Sequence, residues 1–170
     1  EDSFREIVEN IKELTEMGEL DGISSKITEK GLLLTFDDKY LFAPASAYLD
    51  PGAKKLLDKA GVLICKKFIL HSMIVEGHTD SMAINSPQFP SNWELSGARA
   101  SAVVRYLIRR FSFAPSLFSA IGYADTRPLE TAISPKDPAN RRVEILILKN
   151  KYKNQKTFFR ALALYHFAML

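Results

Sequence analysis

The segment at residues 72–111 constrains the fold most, because it combines a strand, a loop and a capped helix. An apolar run at 73–75, closed by Gly77, predicts a strand that ends near the glycine. Ser91 and Glu94 form a capping box that predicts a helix start. Apolar residues then recur at helical spacing and predict one buried helix face: Ala100, Val103, Val104, Leu107, Ile108 and Phe111.

Two opposite charges lie at the ends of this segment. Asp80 follows the strand, and Arg99 lies early in the helix, at the flank of its apolar stripe. The residues allow two interpretations: a site for a ligand that carries both charges, or a salt bridge that holds the loop. Spacing alone does not choose between them.

Three motifs in this order resemble the OmpA-like peptidoglycan-binding domain. They are Gly-His-Thr-Asp at 77–80, Leu-Ser-x-x-Arg-Ala at 95–100 and Asn-Arg-Arg-Val at 140–143. The run Pro-Ser-Asn-Trp-Glu-Leu-Ser at 90–96 is similar, more narrowly, to the MotB family of flagellar stator subunits. The resemblance covers residues 41–148.

The pattern of elements predicts an α+β fold. Strands are expected at 23–28, 32–36, 72–76, 116–121 and 142–149, residues 40–42 are expected to be extended, and helices are expected at 92–111 and after Asp50-Pro51. In the last strand, Val143, Ile145 and Ile147 share one face. This order indicates a two-layer sandwich, with a mixed sheet and helices on one face.

An amphipathic helix precedes this fold. Its apolar residues run from Phe4 to Leu14, and Gly18 is a plausible stop. It either packs on its own domain, pairs with its copy in a dimer, or is disordered. We therefore divide the chain into a linker helix and hairpin (1–38), an OmpA-like domain (39–149) and a C-terminal tail (150–170). The tail is predicted to be a docked helix, with contact to a membrane surface as the alternative.

The resemblance implies a ligand and a set of residues that bind it. Diaminopimelate in the peptidoglycan stem peptide carries an ammonium and a carboxylate on one carbon. Asp80 would accept from the ammonium, and Arg99 would bind the carboxylate with two parallel hydrogen bonds. The remaining residues of the predicted site are Thr79, Leu95, Ser96, Asn140 and Arg141.

Two of these assignments leave alternatives open. Asn140 is either a supporting site residue or a turn residue. Arg141 and Arg142 are adjacent at a strand start and point to opposite faces, so at most one faces the site; the resemblance favours Arg141 and leaves Arg142 as a structural ion pair. Trp93 is either a packing plug or a wall for the glycan.

Other functional classes are disfavoured. His78 with Asp80 and Ser81 or Ser96 mimics a hydrolase triad, but no serine lies on a recognisable nucleophile elbow. The histidines and the lone cysteine show no metal-ligand spacing, so neither a metal nor another cofactor is expected. A net charge of +3 gives no argument for nucleic acid.

The chain departs from the family pattern near its third motif. Relatives carry Gly-Arg shortly before Asn-Arg-Arg, whereas this chain has Lys-Asp-Pro-Ala at 136–139. The usual Gly-Tyr-Gly is Gly-Tyr-Ala at 122–124, which reduces backbone freedom. We expect binding to survive with an altered preference.

The resemblance implies a non-enzymatic anchor that ties a flagellar stator to the cell wall from the periplasm. It also implies a transmembrane helix before Glu1, through which a MotA-like subunit would be bound, and a homodimer. The alternative is an envelope-tethering anchor of the same fold, Pal-like, outside the motor.

Overall fold

A computed structural model describes residues 2–151, and the prediction for the C-terminal tail lies almost entirely outside them. Three α-helices and five strands make up the described part of the chain. They are α1 (Asp2–Glu16), β1 (Ile23–Ile27), β2 (Gly31–Asp37), α2 (Pro51–Phe68), β3 (His71–His78), α3 (Asn92–Phe111), β4 (Phe118–Gly122) and β5 (Arg142–Lys151). Short 3-10 turns lie at Asp38–Tyr40, Pro115–Leu117 and Pro138–Asn140.

The strands form one five-stranded mixed sheet in the order β1-β2-β5-β3-β4. Only β3 and β4 run parallel; the pairs β1/β2, β2/β5 and β5/β3 are antiparallel. The helices cover one face of it, so the predicted α+β sandwich is confirmed. Val143, Ile145 and Ile147 are fully buried in that face, as their alternation predicts.

The hairpin β1–β2, which the sequence analysis groups with the linker helix, is an integral part of this sheet. Its strand β2 pairs with β5 from Gly31↔Leu148 to Asp37↔Arg142. Leu32, Leu34 and Phe36 are fully buried in the core. The hairpin therefore shares its hydrophobic core with the rest of the described chain.

The helix α1 packs on its own domain, which was the first of its three interpretations. Phe4, Ile7 and Ile11 are buried in the common core. The Phe4 ring lies 4.8 Å from the Phe68 ring of α2, measured between centroids. Because these residues repeat at helical spacing, one face of α1 is apolar and meets the sheet and α2.

Some local predictions were wrong. Residues 40–42 were expected to be extended, but Asp38–Tyr40 forms a 3-10 turn whose Asp38 carbonyl accepts from Leu41 and Phe42. Asp50 precedes α2 as expected, yet its side chain makes no capping hydrogen bond. β4 starts at Phe118 rather than Ser116, because the turn Pro115–Leu117 precedes it.

Among the described residues, no helix is both long and apolar enough to cross a membrane.

Two glycines bring α3 close to the sheet. A Cβ atom on Gly77 would overlap the backbone carbonyl of Ser96, and one on Gly122 would overlap the Gly97 nitrogen. Only residues without a side chain allow this approach. As a result, the first turns of α3 lie against the ends of β3 and β4, where the motif residues are.

Candidate functional site

A cleft of about 350 Å³ opens between the end of β3, the start of α3 and the loop after β2. Charged residues from four separate parts of the chain meet in it: Asp38, Asp80, Arg99 and Arg141. Apolar and neutral side chains complete the wall. They are Phe42, Pro44, Ala45, Thr79, Met82, Ala83, Ile84, Asn92 and Leu95, with Lys39 at the same cleft.

Arg99 is buried and holds the loop that follows the 3-10 turn. Its Nη1 lies 2.9 Å from Asp38 Oδ1 in an ion pair. Its Nε donates to the Ser46 carbonyl at 2.8 Å, and its Nη2 donates to the Ala43 carbonyl at 3.4 Å. The guanidinium also lies over the Phe42 ring, 5.1 Å from the centroid. Arg99 therefore fastens one wall of the cleft and borders the cavity.

Asp80 pairs with Arg141 instead of Arg99. Arg141 Nη1 donates to Asp80 Oδ2 at 3.1 Å, and the Met82 amide donates to Asp80 Oδ1 at the same distance. The Asp80 side chain is only 5% exposed, whereas that of Arg141 is 42% exposed. The direct Asp80–Arg99 salt bridge that the sequence left open as an alternative is therefore absent.

The two ion pairs lie near enough to influence each other. Burial raises the pKa of Asp38, while the charges of Arg99 and Arg141 act in the opposite direction. Burial also lowers the pKa of Arg99, against the stabilising charge of Asp38. Two carboxylates, two guanidiniums and the Lys39 ammonium thus surround one cavity with charges of both signs, which suits a ligand that carries both signs.

The remaining residues of the predicted site either line the cleft or support its wall from behind. Thr79 and Leu95 line the cleft, and the buried Thr79 hydroxyl has no hydrogen-bond partner among the described residues. Ser96 lies behind the wall, where its hydroxyl accepts from the Ala124 amide and donates to the Trp93 carbonyl. Trp93 itself is 53% exposed and does not line the cleft, so it is not a packing plug.

Asn140 ends the 3-10 turn Pro138–Asn140, and its side chain bonds the loop before that turn. Its side-chain oxygen accepts from the Leu129 amide at 2.8 Å, and its amide donates to the carbonyls of Ser134 and Pro135. It is buried and does not line the cleft. These bonds hold the proline-rich loop before β5, the region in which the chain departs from the family motif.

Arg142 points away from the cleft, as expected for the second of two adjacent arginines. Its Nε donates to Glu144 Oε1 at 2.7 Å, and its other nitrogens donate to the carbonyls of Asn140 and Arg127.

His78 Nε2 lies 3.6 Å from a Glu76 oxygen and 3.5 Å from a Glu144 oxygen. Sequence spacing did not reveal this grouping of Glu76, His78 and Glu144, because cross-strand pairing creates it.

Burial raises the pKa of Glu144, but the neighbouring His78 and Arg142 outweigh it and lower that pKa to about 2.

The residues considered for a hydrolase triad have separate partners. His78 contacts Glu76 and Glu144, Asp80 bonds Arg141, and Ser96 bonds backbone groups.

Sequence reasoning missed Asp38, which is the partner of Arg99. The residue lies outside the three motifs, and nothing in its spacing connects it to a helix that begins more than fifty residues later. It also missed Asn92, whose side-chain amide donates to the carbonyls of Asp80 and Met82 and so positions the loop after β3.

Comparison with known proteins identifies related chains. The model of the OmpA family matches residues 41–142. "Uncharacterized protein YtxE" of Bacillus subtilis is 39% identical over 130 residues, which are 76% of this chain and 53% of that protein. "Motility protein B" of the same organism is 34% identical over 131 residues, covering 74% of this chain and 48% of that protein. The chain thus spans about half the length of these relatives.

Solved structures share the fold. A putative MotB-like protein from Desulfovibrio vulgaris superposes with a TM-score of 0.74 at 25% identity, over 88% of this chain and 96% of that one. The cell wall anchor of the T6SS from Pseudomonas aeruginosa has a TM-score of 0.71 at 27% identity, over 85% of this chain and 97% of that one.

Proposed function

This chain belongs to the OmpA family, and we propose that it is a non-enzymatic domain that binds peptidoglycan and anchors a flagellar stator to the cell wall. The observation that carries the proposal is a cleft with charges of both signs, in which the pairs Asp38–Arg99 and Asp80–Arg141 border one cavity. Similarity to "Motility protein B" and to a cell wall anchor supports the same conclusion.

The ligand group is the free end of a diaminopimelate-type stem peptide. Its ammonium would be bound by the carboxylate of Asp80, and its carboxylate would meet the guanidiniums of Arg141 and Arg99. The Thr79 hydroxyl supplies a further hydrogen bond, since it is buried at the cleft and has no partner among the described residues. The ligand would therefore insert between two existing ion pairs, replacing part of each.

Arg141 is the residue of the four that the ligand meets first. It is far more exposed than Asp80, and its guanidinium has one ion-pair partner in the described part of the chain. Arg99 has three of its donor nitrogens engaged, with Asp38 and with two backbone carbonyls. Arg99 thus holds one wall of the cleft in place and also contributes to ligand binding. The experiment has to separate these two roles.

The bonding of the polar side chains supports the non-enzymatic assignment. A hydrolase would need a nucleophile beside a base, but Ser96 and His78 are committed to different neighbours on either side of the strand end. The cleft residues bind and orient charges without such a pair. We therefore expect the domain to retain peptidoglycan without cleaving it.

The test of the ligand uses two soluble muramyl peptides that differ at one position. One carries diaminopimelate, and the other carries lysine, which lacks the terminal carboxylate. Calorimetry is expected to show binding of the first peptide and at least tenfold weaker binding of the second, since one charged hydrogen-bonded contact is lost. Equal affinity for both peptides would exclude recognition of the zwitterionic end.

The test of the site compares three folded variants for sedimentation with purified sacculi. Asp80→Asn and Arg141→Gln each remove one charge from the cleft and should weaken sedimentation. Arg5→Gln removes an exposed cation from α1 and serves as the matched control. The site assignment fails if the control falls as much as the two cleft variants, or if neither cleft variant falls.

The motor assignment is separate from the wall assignment. A stator would require a MotA-like partner bound through a membrane segment outside the present residues, with two copies of this domain on the periplasmic side. The likeness to the T6SS anchor favours, as the second candidate, an envelope tether outside the motor. Co-purification of the full-length protein with a MotA-like subunit, and loss of swimming on deletion, would support the motor; secretion or envelope defects with normal swimming would support the tether.

A further inference from the structure

A second cleft, of about 520 Å³, lies between α2, α3 and residues 47–49. It is strongly basic: Lys54 comes from α2, and Arg105, Arg109 and Arg110 come from α3. Among the described residues that line it, none is acidic. Tyr48, whose side chain is 74% exposed, stands at its edge. The cleft thus combines cations with an exposed aromatic face.

Only one of these cations has an ion-pair partner among the described residues. Asp58 accepts from Arg110 Nε at 3.0 Å and from the Tyr106 hydroxyl at 2.7 Å. Lys54, Arg105 and Arg109 have no carboxylate partner in the described part of the chain. Three positive charges are therefore available to a ligand.

The helix does not account for this arrangement by itself. Arg109 and Arg110 lie in the last turn of α3, where cations are favoured by the helix dipole. Arg105 lies one turn earlier, four residues before Arg109, and like charges at this spacing disfavour the helix. Lys54 adds another positive charge from a different helix. An anion bound across these residues would offset their repulsion.

The basic cleft adjoins the cleft described above. The loop fastened by Arg99 has Pro44 and Ala45 in the wall of the first cleft and Ala47 and Tyr48 in the wall of the second. Arg99 donates to the Ala43 carbonyl, just before Pro44, and to the Ser46 carbonyl, between Ala45 and Ala47. One loop therefore separates the two clefts.

We propose that the basic cleft binds a phosphodiester polymer attached to the cell wall, next to the peptide held in the first cleft. Such a polymer carries one permanent negative charge in each repeat, which matches a group of cations better than a single zwitterion does. Neutral glycan would gain nothing from these charges. The location of the polymer rests on the proposed function, but binding of the polymer itself does not.

The first experiment titrates soluble poly(glycerol phosphate) into the folded protein by calorimetry at low and at physiological ionic strength. Wild type is expected to bind, with affinity that falls as salt rises. Arg105→Gln with Arg109→Gln should reduce affinity roughly tenfold or more, because two of the cations that contact the polymer are lost. Arg5→Gln with Lys26→Gln removes equal charge from α1 and β1, outside the cleft, and should stay close to wild type. Absence of binding by wild type, or equal loss in both double variants, would overturn the proposal.

The second experiment uses sacculi before and after hydrofluoric acid removes their phosphodiesters. The Arg105/Arg109 double variant should bind intact sacculi more weakly than wild type and stripped sacculi equally well. An equal loss on both materials would overturn the phosphodiester assignment and point to peptide carboxylates. Asp80→Asn should weaken binding to stripped sacculi, so failure of the peptide site would be seen separately.

Discussion

Arg99 Nη1 lies 2.9 Å from Asp38 Oδ1, and both side chains are buried at the wall of the cleft. The same guanidinium donates to the carbonyls of Ala43 and Ser46. One side chain from α3 therefore fixes the turn after β2 and the loop that follows it. Substitution of Arg99 tests the stability of this loop together with ligand binding, so the two have to be measured separately.

Replacement of Arg99 by Gln should lower the free energy of unfolding by about 3 kcal/mol. The change leaves Asp38 buried without its cation and removes donors from two backbone carbonyls, and breaking one side of a buried pair has a cost of this order. Urea denaturation followed by circular dichroism measures it. Arg105→Gln, on the exposed face of the same helix, is the matched control and should change stability little. A loss below ~1 kcal/mol would mean that Asp38 is solvated rather than paired.

Replacement of Ser96 by Ala should lower stability by about 1–2 kcal/mol while the folded protein keeps its affinity for sacculi. The Ser96 hydroxyl accepts from the buried Ala124 amide, and alanine would leave that amide without a partner. Thermal unfolding and sedimentation with sacculi are measured on the same preparation. Weak binding by a stably folded S96A protein would instead place this hydroxyl in the ligand site.

Acid should destabilise the protein through Glu144. The pKa of Glu144 is about 2 in the fold, below its ordinary value of 4.5, so the unfolded chain takes up the proton first. The contribution is fully present above pH 4.5 and is lost as the pH falls towards 2. Its size is on the order of 2 kcal/mol, reduced from the full shift because the carboxylate is partly solvated.

The measurement that isolates Glu144 is the difference in unfolding free energy between wild type and Glu144→Gln at a series of pH values. This difference cancels the opposite trend of Asp38, whose pKa is raised by burial. It should shrink steadily below pH 4.5. A difference that does not vary with pH would show that Glu144 titrates alike in the folded and unfolded chains.

Replacement of Ile7 by Ala should cost about 3 kcal/mol, because the side chain is buried against the sheet and α2 and its removal leaves a cavity. Glu9→Ala, on the exposed face of α1, is the control. Denaturation curves give the stability, and sedimentation velocity gives the oligomeric state. A change in oligomeric state without a change in unfolding free energy would assign the apolar face of α1 to a dimer contact.

Much of the architecture could be predicted from local pattern. The capping box at Ser91 and the apolar stripe after it located α3, and in its first turn the Ser91 hydroxyl accepts from the Trp93 amide. Alternation in β5 identified its buried face correctly. These signals succeed because capping and amphipathic burial involve residues near each other in the chain.

The site could be predicted only in part. Asp80, Arg99 and Arg141, which the motifs singled out, line one cleft, and Arg141 and Arg142 point in opposite directions as strand geometry predicts. The ion-pair partners of these charged side chains could not be predicted from the sequence. Asp38 was missed, Asn140 proved to be a support for the loop, and Trp93 proved to be exposed.

The sequence by itself determined the order of helices and strands, the family motifs and the residue types that meet at the strand end. Only the tertiary structure decided that Arg99 pairs with Asp38, that Asp80 pairs with Arg141, and that α2 and α3 gather cations into a second cleft. The physical reason is that local propensity depends on neighbours within a few residues, whereas an ion pair depends on distance in space. That distance is set by how the sheet and the helices pack, which involves the whole core at once.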